Sequence, residues 1–402
     1  MEPFALPIET MRARRGIKWR RFGDEVLPAF IADMDFAVAD PVQRAIRRVV
    51  DQQDYGYAQR EGEDRVESAF ADRMLARYGW EVSPERTLLI TDLLQGIAGA
   101  IVAFSQPGDG VVVQTPIYPP FLAVIDGTGR RRVVNPLVDS GKRLIVDAEG
   151  LGEVIDDRTR IILLCNPHNP TGRAFELEEL AAVGSLAVER DLVIVSDEIH
   201  CDLVYPGARH IPTGSLSDEV AARTVTLNSA TKGFNIAGLR CAVMHFGSDE
   251  LQRQFREAIP ERLLGGVNAI GIDATIAAWR EGQPWLDDVT ERLLANRERL
   301  AAWVADAVPA IHFYPPEATY LAWLDCRRLD LPAASPQEFF LEQAGVALGL
   351  GSDFGPGGET SVRLNFATSA PILEEVLERM AGAIRRLRRV GAESARGAGG
   401  IR

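Results

Sequence analysis

The sequence is poor in the residues that build metal and disulfide centres. Its four cysteines, Cys165, Cys201, Cys241 and Cys326, form no C-x-x-C pair and stand mostly within apolar runs. That pattern points to buried free thiols in a cytoplasmic protein and away from a disulfide framework or a zinc site. The five histidines are dispersed, with no H-E-x-x-H, so metal catalysis has no support. No uncharged apolar run nears the roughly 18 residues that a membrane-spanning helix needs. The opening "MEPFALPIETMRARRG" lacks the basic flank and apolar stretch of a signal peptide. The chain is therefore expected to begin near Met1 and to have no membrane partner. An excess of positive charge is missing too: 44 Lys and Arg against 57 Asp and Glu leave −13, with the basic residues scattered among the acids. This excludes the electrostatic footprint of a nucleic-acid binder and means that an anionic ligand needs a local pocket of positive charge. Neither G-x-G-x-x-G nor G-x-x-x-x-G-K-[ST] occurs, and no repeat of fixed period is present.

What is present is a rhythm. At 402 residues, 46% of them hydrophobic, the chain is too long for one core and long enough for two or three domains. Between about residues 88 and 246 a short β-rich run, a polar turn and a helical segment recur. The runs are "LLIT", "GVVVQT", "RVVNPL", "RIILLC", "LVIVSD", "TVTLN" and "CAVMHF". Several are apolar at successive positions, as in strands covered on both faces. Segments between them, such as "ELEELAAVGSLAVERD" (176–191), read as amphipathic helices. This predicts an α/β fold with a mostly parallel seven-stranded sheet covered by helices.

After about residue 280 the character changes. Leu286, Val289, Leu293, Arg297, Leu300 and Val304 recur at helical spacing, which predicts one long helix over 285–308 with a single buried stripe. Short strands divided by Pro and Gly follow, then a last helix from about 371 to 389. The expected division is an amino-terminal arm with part of the small domain (1–45), a large ligand-binding domain (46–282), a small α+β domain (283–390) and a tail (391–402).

In an open parallel sheet, ligands bind beyond the carboxyl ends of the strands. After "RIILLC" comes "NPHNPTG", whose prolines and glycine set a turn that presents Asn169. Asp197 ends "LVIVSD", and "TVTLN" leads into "SATK" with Lys232. An amide, a carboxylate and an amine thus converge on one edge. Pyridoxal 5'-phosphate asks for such a set: its aldehyde condenses with a lysine, its ring nitrogen needs a carboxylate, its phenolic oxygen needs donors, and its phosphate needs hydroxyls and a cation. Lys232 would carry the cofactor, while Ser229, Thr231 and Arg240 hold its phosphate. Arginine suits that post because it is permanently charged and offers two parallel donors.

Each residue also has a plainer reading. Lys232 would ordinarily be a solvated charge, Asp197 a helix cap, Asn169 a brace for its own turn, and Arg240 the partner of a surface acid. Ser229 and Thr231 could bond only local backbone. Tyr118 could be simple packing, and His200 a satisfied buried histidine. The combination in register favours the cofactor.

Ser229, Thr231 and Arg240 at their offsets from Lys232, together with N-P-x-N-P-T-G, the D-E strand end and "SVRLNFA", resemble fold-type I pyridoxal-phosphate enzymes of the aspartate aminotransferase superfamily. "KWRRFGDEVLPAFIADMDF", "YGY", "TPIYPPF", "SDEIHCDLVYPGARHIP" and "LNSATKGFNIAGLRCAV" narrow the resemblance to the cystathionine β-lyase branch, the MalY/PatB-type carbon–sulfur lyases. The resemblance implies that Lys232 is both cofactor lysine and proton-transfer base, that Asp197 pairs with the ring nitrogen, and that Asn169 donates to the phenolic oxygen. It further implies that Tyr118 stacks on the ring and that His200 lies beside it. Backbone amides at Leu93 and Leu94 would face the phosphate, and Tyr57 would reach the phosphate of a neighbouring subunit in a homodimer. Arg363 would grip the substrate α-carboxylate, with Ala32, Tyr118 and Asn169 nearby.

Two departures are visible. His200 stands three residues after Asp197, where aminotransferases commonly place a tyrosine; the lyase branch shares the histidine. The loop after the first strand reads "TDLLQGI" where the lyases usually have a T-P-G-V-V-P-G-like sequence. The implied reaction is β-elimination from cystathionine or another S-substituted cysteine, giving thiol, pyruvate and ammonia, with transamination as the alternative. A regulator that uses the fold as a sensor would need an appended DNA-binding module, and the sequence shows no basic extension.

Overall fold

The structure is a computed structural model that describes residues 6–331 and 335–398. The chain divides into two compact units, one of Val38–Glu291 with Glu317–Thr319, the other of Met1–Ala37, Arg292–Pro316 and Tyr320–Arg402. Among the described residues no helix is long and apolar enough to cross a membrane.

The first unit is built on a seven-stranded sheet: β1 (Thr87–Ile90), β2 (Gly110–Val113), β3 (Arg131–Val134), β4 (Thr159–Cys165), β5 (Val193–Asp197), β6 (Thr224–Asn228) and β7 (Ala242–Phe246), in spatial order β1-β7-β6-β5-β4-β2-β3. All seven runs predicted as strands are in it. β3, β2, β4, β5 and β6 are parallel to one another, whereas β7 runs antiparallel to both β6 and β1.

The unbroken apolar runs have the expected cause. On β4, Ile161, Leu163 and Cys165 face a core shared with the helices Leu93–Phe104, Pro119–Gly127 and Asp249–Ala258. Ile162 and Leu164 face a second core with Ala148–Val154 and Leu177–Glu189. Helices on both faces leave no position for polar alternation, and each fully buried aliphatic side chain contributes roughly 1.5–3 kcal/mol. The helix Leu177–Glu189 starts with a capping box between Glu176 and Glu179.

The second unit holds a four-stranded sheet, β8 (His312–Phe313), β9 (Leu321–Asp325), β10 (Gly349–Leu350) and β11 (Ser361–Asn365), in order β8-β9-β11-β10 and antiparallel throughout. The long helix, Gln283–Ala307, corrects one detail of the expected stripe. Leu293, Leu300 and Val304 are buried, but Asn296 takes the place assigned to Arg297, which is half-buried. The Asn296 amide donates to the carbonyls of Phe366 (2.9 Å) and Thr368 (2.8 Å), bonds that repay its burial. The last helix, Ala370–Ala398, runs beyond the expected end at 389; "GAESARGA" contains no proline to stop it. Residues 399–402 of the expected tail lie outside the described residues.

Candidate active site

Strand register assembles the site. Asp197, the last residue of β5, pairs with Cys165 at the end of β4 and with Leu227 near the end of β6. The turn bearing Asn169 follows Cys165, and the turn bearing Lys232 follows Asn228. β7 is antiparallel, so the residues just before it reach the same edge: Ala242 pairs with Ile90 at the end of β1, and Val243 pairs with Asn228. Arg240 and Cys241 therefore stand beside Asp92 and Ser229.

Asp197 is buried, and its carboxyl is pushed up to about 7. Burial is the main cause; the neighbouring Glu198 adds to it, while the Ile199 N–H, 3.0 Å from Oδ1, and the charge of Lys232 oppose it. Glu198 is itself held by Ser196 Oγ (2.9 Å), the Thr213 N–H (2.9 Å) and His210 Nε2 (3.0 Å). Cys165, next to Asp197, receives the backbone N–H of Asn169; burial and then Asp197 drive its thiol well above the ordinary range. Asn169 and Asp197 thus share one neighbour.

The Asn169 turn is fixed largely by other residues. His168 N–H donates to the Arg173 carbonyl at 2.7 Å, and Gly172 N–H, at φ +71°, donates to the His168 carbonyl at 2.8 Å. Burial lowers the His168 imidazole to about 3 and so keeps it neutral. Its Nδ1 accepts from Thr171 Oγ1 at 2.8 Å while Nε2 donates to the Gln114 carbonyl at 3.3 Å. Lys232 is half-buried in the short helix Ala230–Gly233, capped by Ser229, whose Oγ accepts the Thr231 N–H at 3.1 Å.

The expected phosphate donors are gathered at this edge, though already engaged. Ser229 Oγ donates to the Cys241 carbonyl at 2.6 Å and lies 2.8 Å from Thr231 Oγ1. Arg240 pairs with Asp92 at 2.8 Å. Leu93 and Leu94 open the helix Leu93–Phe104 with Asp92 as its cap. Tyr118 is half-buried ahead of the helix Pro119–Gly127, its ring edge-on to Phe121 at 5.8 Å. His200 is buried and Tyr57 fully exposed.

In the other unit, Arg363 on β11 is buried, donates from Nη2 to the Phe30 carbonyl at 2.7 Å and lies 5.0 Å over the Phe354 ring. Asn365 ties the same strap through the carbonyls of Ile31 (2.6 Å) and Asp33 (2.7 Å). Tyr320 OH donates to the carbonyl of Ala32 at 3.0 Å. The glycine-rich stretch 349–358 also has a local cause: a Cβ on Gly351 would fall 2.1 Å from the carbonyl oxygens of Gly358 and Ser361.

Sequence reasoning missed several supports: Asp92, the Glu198–His210 pair, and the buried pair of Arg73 and Asp202 at 2.6 Å. Only Asp92 carried a local signal, as an acidic cap ahead of a helical run.

A buried carboxyl costs free energy when charged, and a cationic ring nitrogen would offset that cost. The amine, amide and arginine that a pyridoxal phosphate needs stand on the same edge, so the residues present fit the group. This fold and this edge define the class, a pyridoxal-phosphate enzyme of α/β architecture. The family described as aminotransferase class I and II matches residues 31–380, and the chain belongs to it. It is 35% identical over 377 residues to cystathionine β-lyase PatB of Bacillus subtilis (strain 168), covering 92% of this chain and 97% of that protein. To the cystathionine β-lyase of Corynebacterium glutamicum it is 32% identical, over 94% of this chain and 99% of that one. Among solved structures, the PLP-bound C-S lyase of Staphylococcus hominis superposes with a TM-score of 0.86 at 28% identity, covering 93% of this chain and 96% of the other.

Proposed function

We propose that this protein is a pyridoxal 5'-phosphate-dependent carbon–sulfur β-lyase that cleaves cystathionine or another S-substituted L-cysteine to a thiol, pyruvate and ammonia. The observation that carries the cofactor chemistry is the buried carboxyl of Asp197 in register beside the Asn169 and Lys232 turns. The likeness to two cystathionine β-lyases and a C-S lyase supports elimination over transamination.

When bound, the cofactor supplies an electron sink for the charge left at the substrate Cα. The Lys232 amine removes the Cα proton, a positioned transfer worth about 10²–10⁴ in rate. Asp197 keeps a proton on the ring nitrogen and Asn169 donates to the phenolic oxygen. Ser229, Thr231, Arg240 and the amides of Leu93 and Leu94 hold the phosphate. Tyr118 packs on the ring, with His200 where aminotransferases commonly carry tyrosine. Arg363 binds the α-carboxylate, and Ala32 borders the substrate. The thiolate then leaves the β-carbon with the Cβ–S electron pair and takes up a proton, and water hydrolyses the released 2-aminoacrylate to pyruvate and ammonia. We further propose a cytoplasmic homodimer in which the exposed Tyr57 reaches the partner's phosphate; the four buried free cysteines agree with a reducing compartment.

Incubating the loaded enzyme with cystathionine and S-alkyl cysteines tests the reading. Thiol and pyruvate should appear together in equal amounts. Glutamate formed from 2-oxoglutarate, with no thiol released, would assign the chain to transamination instead.

A further inference from the structure

The edge that would receive the phosphate carries a carboxylate. Asp92 Oδ2 lies 2.8 Å from Arg240 Nη1, and Asp92 Oδ1 accepts the Gln95 N–H at 3.0 Å. Both oxygens are therefore committed, one to the arginine and one to the first turn of the helix Leu93–Phe104. Gln95 extends the pattern: its Oε1 accepts the Thr91 N–H at 3.1 Å and the Thr91 hydroxyl at 2.9 Å, while its Nε2 donates to the Leu264 carbonyl at 2.8 Å. Asp92 lies in the loop whose sequence departs from that of the lyases, and the antiparallel course of β7 is what brings Arg240 to it.

From this geometry we propose that the Asp92 carboxylate competes with the cofactor's phosphate for Arg240, so that this chain holds pyridoxal 5'-phosphate less tightly than it would with a neutral residue at position 92. The inference rests on the cofactor reading above. A dianionic phosphate approaching Arg240 either displaces the carboxylate, losing an ion pair, or binds with a like charge beside it. Both routes lower affinity. The pair is partly exposed, Arg240 by 64% and Asp92 by 32%, so solvent screens the effect and the change expected is on the order of tenfold. In the cofactor-free chain the same carboxylate keeps Arg240 in place.

The test is a titration of cofactor-stripped protein with pyridoxal 5'-phosphate and, separately, with pyridoxal, following the visible band that forms when either condenses with Lys232. Asparagine still caps a helix, so Asp92→Asn removes charge and keeps the cap. It is expected to tighten pyridoxal 5'-phosphate by on the order of tenfold and to leave pyridoxal, which has no phosphate, unchanged. Asp92→Ser, a second neutral cap, should behave alike and covers the case in which the first variant folds poorly. Unchanged or weaker phosphate-ester binding in both variants overturns the proposal and makes Asp92 a residue that orients Arg240. Equal tightening of both ligands also overturns it, since the effect would then not act on the phosphate. If the wild-type protein forms no band with either ligand, the cofactor reading itself falls, and this inference with it.

Discussion

Arg73 holds Asp202 through two donors, Nε at 3.1 Å and Nη2 at 2.6 Å from the same carboxylate oxygen, and Asp202 packs against Gly233, the residue that follows Lys232. A Cβ on Gly233 would meet the Asp202 Cβ at 3.3 Å. Both partners of the pair are buried, and the guanidinium also lies 5.4 Å over Phe234 and donates to the Trp279 carbonyl at 3.2 Å. Arg73→Met should strand a buried carboxylate and destabilise by about 3–5 kcal/mol. Arg73→Met combined with Asp202→Leu, which removes both charges, should recover much of that loss. Urea midpoints of the two variants check it; equal losses would show that packing, and not the stranded charge, sets the cost.

Asp197 makes stability depend on pH in a way that its asparagine variant isolates. The folded cofactor-free chain keeps a proton on Asp197 up to about 7, whereas an ordinary carboxyl at 3.8 has released it. More protons are then bound folded than unfolded, so this group's contribution to stability falls as pH rises from about 4 to about 7. His168 and His245 act in the opposite sense: burial lowers both to about 3, so their neutral forms lose stability as pH falls below the ordinary 6.5. The wild-type profile mixes these slopes. Subtracting it from that of Asp197→Asn should leave the carboxyl alone: the variant gains stability relative to wild type between about pH 4 and about pH 7, and the gain levels off above that. Thermal melts of the stripped proteins measure it, and a flat difference would mean that Asp197 titrates normally. The same variant should bind the cofactor more weakly.

Lys232 is half-buried, so truncating it opens no large cavity and its role should separate from stability. Lys232→Ala should melt near the wild-type temperature, lose the visible band and reduce thiol release by at least about 10²–10⁴. Retention of most of the activity by this variant would remove the lysine from the chemistry.

The sheet was legible because unbroken runs such as "RIILLC" and "LVIVSD" have one physical explanation, burial on both faces. The convergence of Asp197, Asn169 and Lys232 on one edge was legible because each lies at, or within four residues of, the end of such a run, and register turns sequence position into spatial position. Arg240 is expected as a phosphate ligand; the plainer reading, an acidic partner, is the one that the structure shows, since Asp92 meets it across β1 and β7. That pairing depends on strand order, which periodicity does not encode. The reversal of Asn296 and Arg297 has a similar origin. Periodicity marked one face of the helix correctly, but two backbone carbonyls ending near β11 decide which polar side chain that face accepts.

The role proposed for Arg363 can be tested by itself. Its guanidinium is set by the bond to the Phe30 carbonyl and by the Phe354 ring, so its plane is fixed before any ligand arrives. Lysine keeps the charge but has neither the planar fork nor the stacking surface. A charge-assisted bond to a carboxylate is worth about 1.5–3 kcal/mol, so Arg363→Lys should lower kcat/KM by about 10- to 100-fold. If the arginine binds the α-carboxylate equally well in the ground and transition states, the loss appears in KM; if it also aligns the Cα–H bond, kcat falls as well. Affinity for pyridoxal 5'-phosphate should be unchanged in either case, which separates a substrate residue from one that merely supports the fold. An unaltered KM and kcat for the lysine variant would place the carboxylate site elsewhere.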